Sequence, residues 1–166
     1  MNLYLIRHAH AGQSNHSDPN DHLRPLSRKG QKQAETLARA LISLSLRFDR
    51  LFSSPYTRAT ETATPLTPHV RSGRLELLTE LTGDDYALLL ETLRGTLKRG
   101  DTTVGLVGHE PYLSGLVSYL LSGDAERIKT HFRKGMLIQL GGTLKPGGMK
   151  LHSALTPTML KELGRF

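Results

Sequence analysis

Cysteine is absent from the 166 residues, and so is tryptophan. Without cysteine there is no disulfide framework, no thiolate metal centre and no cysteine nucleophile. Aromatic residues make up only 5% of the chain, too few for the interleaved basic and aromatic pattern of a nucleic-acid surface. No run approaches the ~18 apolar residues of a membrane span. The apolar stretch at the N-terminus stops after Leu3–Ile6, at Arg7, which is not the pattern of a secretion signal. The expectation is a cytoplasmic chain that engages neither membrane nor nucleic acid. Internal repeats and low-complexity tracts are missing as well. The length is that of one domain, 1–166, enough to bury about 70% of the unfolded surface in a real core.

Positive charge is in excess. Against 15 Asp and Glu stand 22 Lys and Arg, a net +7, which favours anionic ligands. Strand and helix signals alternate along the chain. Asn2–Ile6 reads as a short buried strand, followed by a polar loop over residues 7–26. Ser27 is a plausible N-cap for a helix whose core face carries Ala34, Leu37, Ala38, Leu41 and Ile42 at helical spacing. Arg50–Ser53 reads as the second strand. The segment SPYTRATETA opens a helix with Ser54 as N-cap and Pro55 at the first position, ended by Pro65 and Pro68. Arg74–Leu78 reads as a third strand running into the loop TELTGDD. Tyr86, Leu89, Leu90, Leu93 and Leu97 mark a helix face. TTVGLVG, residues 102–108, is apolar at its centre and reads as a strand buried on both faces. Leu113, Leu116, Val117, Leu120 and Leu121 follow as another helix. Met136–Leu140 and Met149–Ala154 flank the turn GGTLKPGG, and a short helix starts at Thr156-Pro157.

Repeated strand-then-helix units predict an α/β fold, a three-layer α/β/α sandwich with a mostly parallel central sheet. In such sheets ligands bind beyond the carboxyl ends of the strands. Arg7-His8 ends the first strand, His109 ends TTVGLVG, and Arg58 sits in the first turn of the helix after the second strand. Right-handed crossovers bring these ends to one edge. Arginine forks match phosphate oxygens, and a neutral imidazole is a nucleophile. The set therefore describes a phosphate pocket holding a nucleophile, suited to phosphoryl transfer to histidine and then hydrolysis.

LIRHA, SSPYTRATETA and VGHEP, in that order and each at a strand end, resemble the signature segments of the histidine phosphatase superfamily, the phosphoglycerate-mutase-like fold. LRPLSRKG, TELTGDD and the short length are most similar to its small SixA-type branch, the phosphohistidine phosphatases. The resemblance runs from residue 3 to about residue 122. It implies a metal-independent phosphatase with no cofactor, acting on a phosphorylated protein or a small phosphate ester. A broad-specificity phosphomonoesterase of the same fold is the alternative. By matching position, His8 is the transiently phosphorylated residue, and Arg7, Arg58 and His109 bind the phosphoryl oxygens. Arg24 matches a further basic position and adds a substrate contact. Glu80, in TELTGDD, is the first choice for general acid, ahead of Asp84 and Asp18. Ala9 stands where many relatives have glycine. The insertions that build a mutase lid are missing.

Other readings compete for the same residues. Arg58 could pair with Glu61 one helical turn on, Arg24 could anchor its loop, and Glu80 could cap or pair with a surface lysine. His8, His10, Asp18, Asp21 and His109 could form a metal site, although Arg7 and Arg58 favour an anion over a cation there. A catalytically dead phosphate-binding module is disfavoured by the intact set of two arginines and two histidines. His10, His16, His22, His69, His131 and His152 are expected to be surface or structural residues.

Overall fold

The computed structural model describes residues 1–14 and 17–165, so His16 lies outside the described residues. The strands are β1 (Asn2–Arg7), β2 (Arg50–Ser53), β3 (Leu75–Leu77), β4 (Thr103–Gly108), β5 (Leu137–Gly142) and β6 (Met149–Leu155). The helices are α1 (Arg28–Ser43), α2 (Thr57–Ala63), α3 (Tyr86–Thr96), α4 (Tyr112–Ser122) and α5 (Pro157–Leu163). The strands form one sheet in the order β3-β2-β4-β1-β5-β6. β1 to β4 run parallel, while β5 and β6 are antiparallel.

Side-chain alternation along β1 feeds two cores. Leu3 and Leu5 lie with Phe52, Leu106, Leu113 and Leu116 under α3 and α4. Ile6 lies with Leu51, Val107, Leu37 and Leu41 under α1 and α2. The result is the expected α/β/α sandwich. Each of these aliphatic side chains is fully buried, which is worth roughly 1.5–3 kcal/mol apiece.

Several local expectations are refined. Ser27 caps α1, its Oγ accepting the Gly30 N–H at 3.2 Å. Ile42 is 63% exposed, because the buried stripe of α1 runs through Ala34, Leu37, Ala40 and Leu41 and Ile42 falls one residue past it. Ser54 is not an N-cap: α2 starts at Thr57 with Tyr56 at its cap. Part of TELTGDD coils into a 3-10 turn, Thr79–Thr82.

The parallel register places the candidate residues together. Arg7 is opposite Gly108, and Ser53 is opposite Val107. The His8 N–H donates to the Gly108 carbonyl at 3.0 Å, and the Ser54 N–H donates to the Val107 carbonyl at 2.9 Å. His8, Ser54 and His109 therefore leave three adjacent strands at one level. Two glycines hold the loop behind them. A Cβ on Gly30 would lie 2.0 Å from the His10 carbonyl oxygen, so only glycine lets α1 approach this backbone. Gly135 has φ +75° and donates its N–H to the carbonyls of Arg7 and His8 at 3.1 and 3.2 Å, a left-handed conformation that favours glycine.

Candidate active site

His8 is buried, and its Nδ1 lies 2.7 Å from the Ala9 carbonyl oxygen. A carbonyl only accepts, so Nδ1 carries the proton and Nε2 keeps its lone pair. Ala9 itself is held by Thr62, whose Oγ1 accepts the Ala9 N–H at 3.0 Å and donates to the Arg58 carbonyl at 2.6 Å. One hydroxyl thus ties the loop after β1 to α2. Ala9 is not among the positive-φ residues, so an alanine fits where many relatives have glycine.

His109 stands beside His8, ring centroids 5.1 Å apart. Its Nε2 is 2.7 Å from Ser54 Oγ. Ser54 Oγ also accepts the Tyr56 N–H at 3.2 Å, and its remaining lone pair and its proton match His109 Nε2 in either tautomer. When the ring proton is on Nδ1, Nε2 accepts from the Ser54 hydroxyl and Nδ1 is a donor. The Tyr56 ring packs 5.0 Å from His109, and the Arg58 guanidinium lies 5.0 Å from the Tyr56 centroid.

Burial is the main reason both imidazoles are neutral. It pushes His8 down to about 3, against a rise from the Ala9 carbonyl, with His109, Arg58 and Arg7 adding smaller downward pushes. His109 is likewise pushed down to about 3, first by burial and then by Arg58, Arg7 and Arg24. The arginines therefore contribute less to His8 neutrality than desolvation does.

Arg7 donates from Nη1 to the Phe132 carbonyl at 2.7 Å. Arg58 donates from Nη1 to the Asp21 carbonyl at 2.8 Å and pairs with the Asp21 carboxylate at 3.3 Å. It does not pair with Glu61, whose carboxylate accepts the Leu26 N–H at 2.6 Å instead. Among the described residues, three buried side-chain nitrogens lack a hydrogen-bond partner: Arg7 Nε, Arg58 Nε and His109 Nδ1. The two arginine nitrogens are donors, His109 Nδ1 is one when it carries the ring proton, and all three belong to this site. Buried donors without partners are rare and call for an explanation; an anion with several acceptor oxygens supplies one.

Arg24 is occupied by the protein itself. Its Nε donates to Asp21 Oδ1 at 2.8 Å, and its Nη1 donates to the Ala11 carbonyl. Through Asp21 it steadies Arg58, and its charge reaches His109. Glu80 spends its carboxylate on two threonine hydroxyls. It follows β3 at the sheet edge, accepts the Thr92 hydroxyl on α3 at 2.8 Å and the Thr79 hydroxyl at 3.4 Å. Its own backbone N–H and Thr92 hold its carboxyl below the usual range, so it is ionised at neutral pH and is no proton donor there. Asp18 accepts the Asn20 N–H at 2.8 Å in a turn, and Asp84 is exposed. Asp21, weighed above only as a metal ligand, is committed to the two arginines, and His10 Nδ1 lies 2.7 Å from Ser27 Oγ. Among the described residues no three His, Asp or Glu side chains are grouped to hold a metal. Ser54, Tyr56 and Lys134 were not anticipated. Burial pushes Lys134 below its ordinary value, with Arg7, Arg24 and Arg58 adding to that. Position beyond a strand end was the one signal for Ser54.

Residues 3–91, more than half of the chain, match the model of the histidine phosphatase superfamily (branch 1). The chain belongs to this superfamily. No curated protein is a significant match. Several solved structures share the fold. The protein histidine phosphatase SixA complexed with tungstate aligns with TM-score 0.81 at 23% identity, covering 97% of this chain and 100% of that one. A protein described as phosphohistidine phosphatase SixA from Nakamurella multipartitia aligns with TM-score 0.76 at 24% identity, covering 94% and 95%. Phosphoserine phosphatase from Entamoeba histolytica aligns with TM-score 0.66 at 17% identity, covering 96% and 98%. At these identities the likeness is one of fold. Among the described residues no helix is long and apolar enough to cross a membrane.

Proposed function

We propose that this histidine phosphatase superfamily member is a metal-independent phosphatase that forms a covalent phosphohistidine on His8. Its substrate is phosphohistidine carried by a protein, as the names of its SixA fold relatives suggest. The observation that carries this reading is the trio of unpartnered buried nitrogens, Arg7 Nε, Arg58 Nε and His109 Nδ1, gathered around an imidazole whose Nε2 is unprotonated. A phosphoryl group entering the site gives each donor an oxygen. The Nε2 lone pair then forms the P–N bond as the bond to the leaving group breaks, and the leaving group departs with the bonding pair. Positioned charge stabilises the oxygens in transit. Water next attacks phosphorus, releasing inorganic phosphate and neutral His8. Arg24 and Asp21 are positioning residues for Arg58.

The leaving group follows from the proton inventory. His8 and His109 have a carbonyl and a hydroxyl as partners, and Glu80 is bound to Thr92. A phosphorylated imidazole protonated on its far nitrogen leaves as neutral imidazole and needs no enzymic acid, whereas an alkoxide does. The test is a panel of substrates assayed in EDTA: a phosphohistidine peptide, p-nitrophenyl phosphate and 3-phosphoglycerate. The expected kcat/KM on the peptide exceeds that on 3-phosphoglycerate by ~100-fold, the low end of what general-acid help supplies. Preference for the alkyl ester, or activity restored by one divalent ion, counts against the proposal.

A further inference from the structure

Beside the candidate active site lies a second basic surface that takes no part in the phosphoryl pocket. α1 and α5 pack side by side and leave a groove of about 790 Å³. Its lining carries Arg28, Lys29, Lys32 and Arg39 from α1 and Lys161 from α5, with Glu35 the one acidic side chain. All five cations are exposed. Among the described residues none of them is in an ion pair. Arg28 and Lys29 occupy the first turn of α1, which has no acidic residue. The helix dipole disfavours cations there, and their mutual repulsion is not offset inside the fold. An external anion offsets both.

The groove reaches the backbone behind the phosphoryl site. Gly135 is part of its lining, and the Gly135 N–H holds the carbonyls of Arg7 and His8. The neighbouring Lys134 feels the charges of Arg7, Arg24 and Arg58, and Lys29 and Lys134 both act on His10. Positive charge therefore runs from the pocket through Lys134 and Lys29 to Lys32 and Lys161. The lining also includes Leu160 and Pro157 and no aromatic ring. A concave wall of cations over aliphatic residues fits a polypeptide bearing carboxylates. It offers no stacking platform for nucleobases, and no amphipathic face to lie on a lipid surface.

We propose that the α1–α5 groove docks the acidic surface of the phosphoprotein whose phosphohistidine enters the His8 pocket. The proposal rests on the phosphohistidine reading above. It is tested with two phosphohistidine peptides of equal length, one flanked by Asp and Glu and the other by Ser and Gln. Wild-type protein is compared with the Lys29→Glu/Lys32→Glu/Lys161→Glu variant, whose new carboxylate near the start of α1 suits the helix dipole. At low salt the wild type is expected to favour the acidic peptide by about tenfold in kcat/KM, a preference that fades in ~0.5 M NaCl as screening sets in. The variant loses the preference, and in ~0.5 M NaCl, where long-range charge is screened, it keeps the wild-type kcat/KM on free phosphohistidine. Fluorescence anisotropy of the acidic peptide without phosphate reads the groove independently of turnover, with binding expected for the wild type and not for the variant. If neither peptide is hydrolysed but this binding persists, the phosphohistidine reading fails while the groove's affinity for acidic polypeptide stands. Preference and binding unchanged in the variant overturn the proposal. So does a single-stranded DNA oligomer or a phosphatidylglycerol vesicle that binds through the same lysines more tightly than the peptide.

Discussion

His8 and His109 are buried imidazoles whose charged forms the fold resists. Their folded values of about 3 lie below the ordinary 6.5. Between these values the unfolded chain binds more protons than the folded one, so stability falls as pH drops from 6.5 towards 3. In phosphate-free buffer the unfolding midpoint should therefore fall on acidification through this window. The double variant His8→Gln/His109→Gln should show a flatter fall. An equal slope in both proteins would contradict the assignment of the two groups. Ligand reverses the sign for His109: a bound dianion beside Nδ1 favours imidazolium. Histidine NMR titration with saturating vanadate should thus move His109 upward. The unpartnered Nε of Arg58 makes a second prediction. Arg58→Lys keeps the charge but loses the planar fork, and kcat/KM should fall by ~10²-fold or more; near-wild-type kinetics would remove Arg58 from the pocket. Glu80→Gln probes the residue assigned away from the site. It should lower kcat/KM on alkyl and aryl phosphates by the same small factor, and it should cost stability at pH 7. The lowered carboxyl value contributes stability above its unfolded pKa that is lost as pH falls.

At the scale of elements, the ends of three parallel strands make the site, and the loop after β1 must be held against α1 and α2. Gly30 and Thr62 do this. Gly30→Ala places a methyl 2.0 Å from the His10 carbonyl, which no rotamer relieves. It should lower both the melting temperature and kcat, since the displaced loop carries His8. Thr62→Val removes the hydroxyl between Ala9 and Arg58 and should lower kcat with a smaller loss of stability; a fully active, fully stable Gly30→Ala protein would contradict the packing argument. The sequence made the strand ends legible because apolar runs stop abruptly at Arg7, Ser53 and Gly108, and parallel topology then dictates convergence. Arg7, His8, Arg58 and His109 were expected together in this way, and they do lie side by side. What it hid depends on side-chain choices between segments far apart. Asp21 reads as a loop acid until it is seen between Arg24 and Arg58. Ser54 reads as a cap because Pro55 follows it, while its hydroxyl serves His109. Glu80 reads as an acid in the right loop, yet the sheet edge gives it Thr92 as a partner.

For the whole molecule, the order β3-β2-β4-β1-β5-β6 sets β4 and β1 at the centre of the six-stranded sheet. The two imidazoles therefore sit over the deepest part of the structure, where desolvation keeps them neutral without a carboxylate partner. Arg7, Arg24, Arg58 and Lys134 put positive charge at this edge, so an entering phosphoryl dianion meets attraction. The central claim is that His8 Nε2 takes the phosphoryl group. The most direct measurement is a rapid-quench experiment with excess enzyme and labelled phosphohistidine peptide, followed by mass mapping of the trapped protein. The account predicts acid-labile, base-stable phosphate on His8 within the first turnover and none in His8→Gln. Label on another residue, or full turnover in His8→Gln, would contradict it.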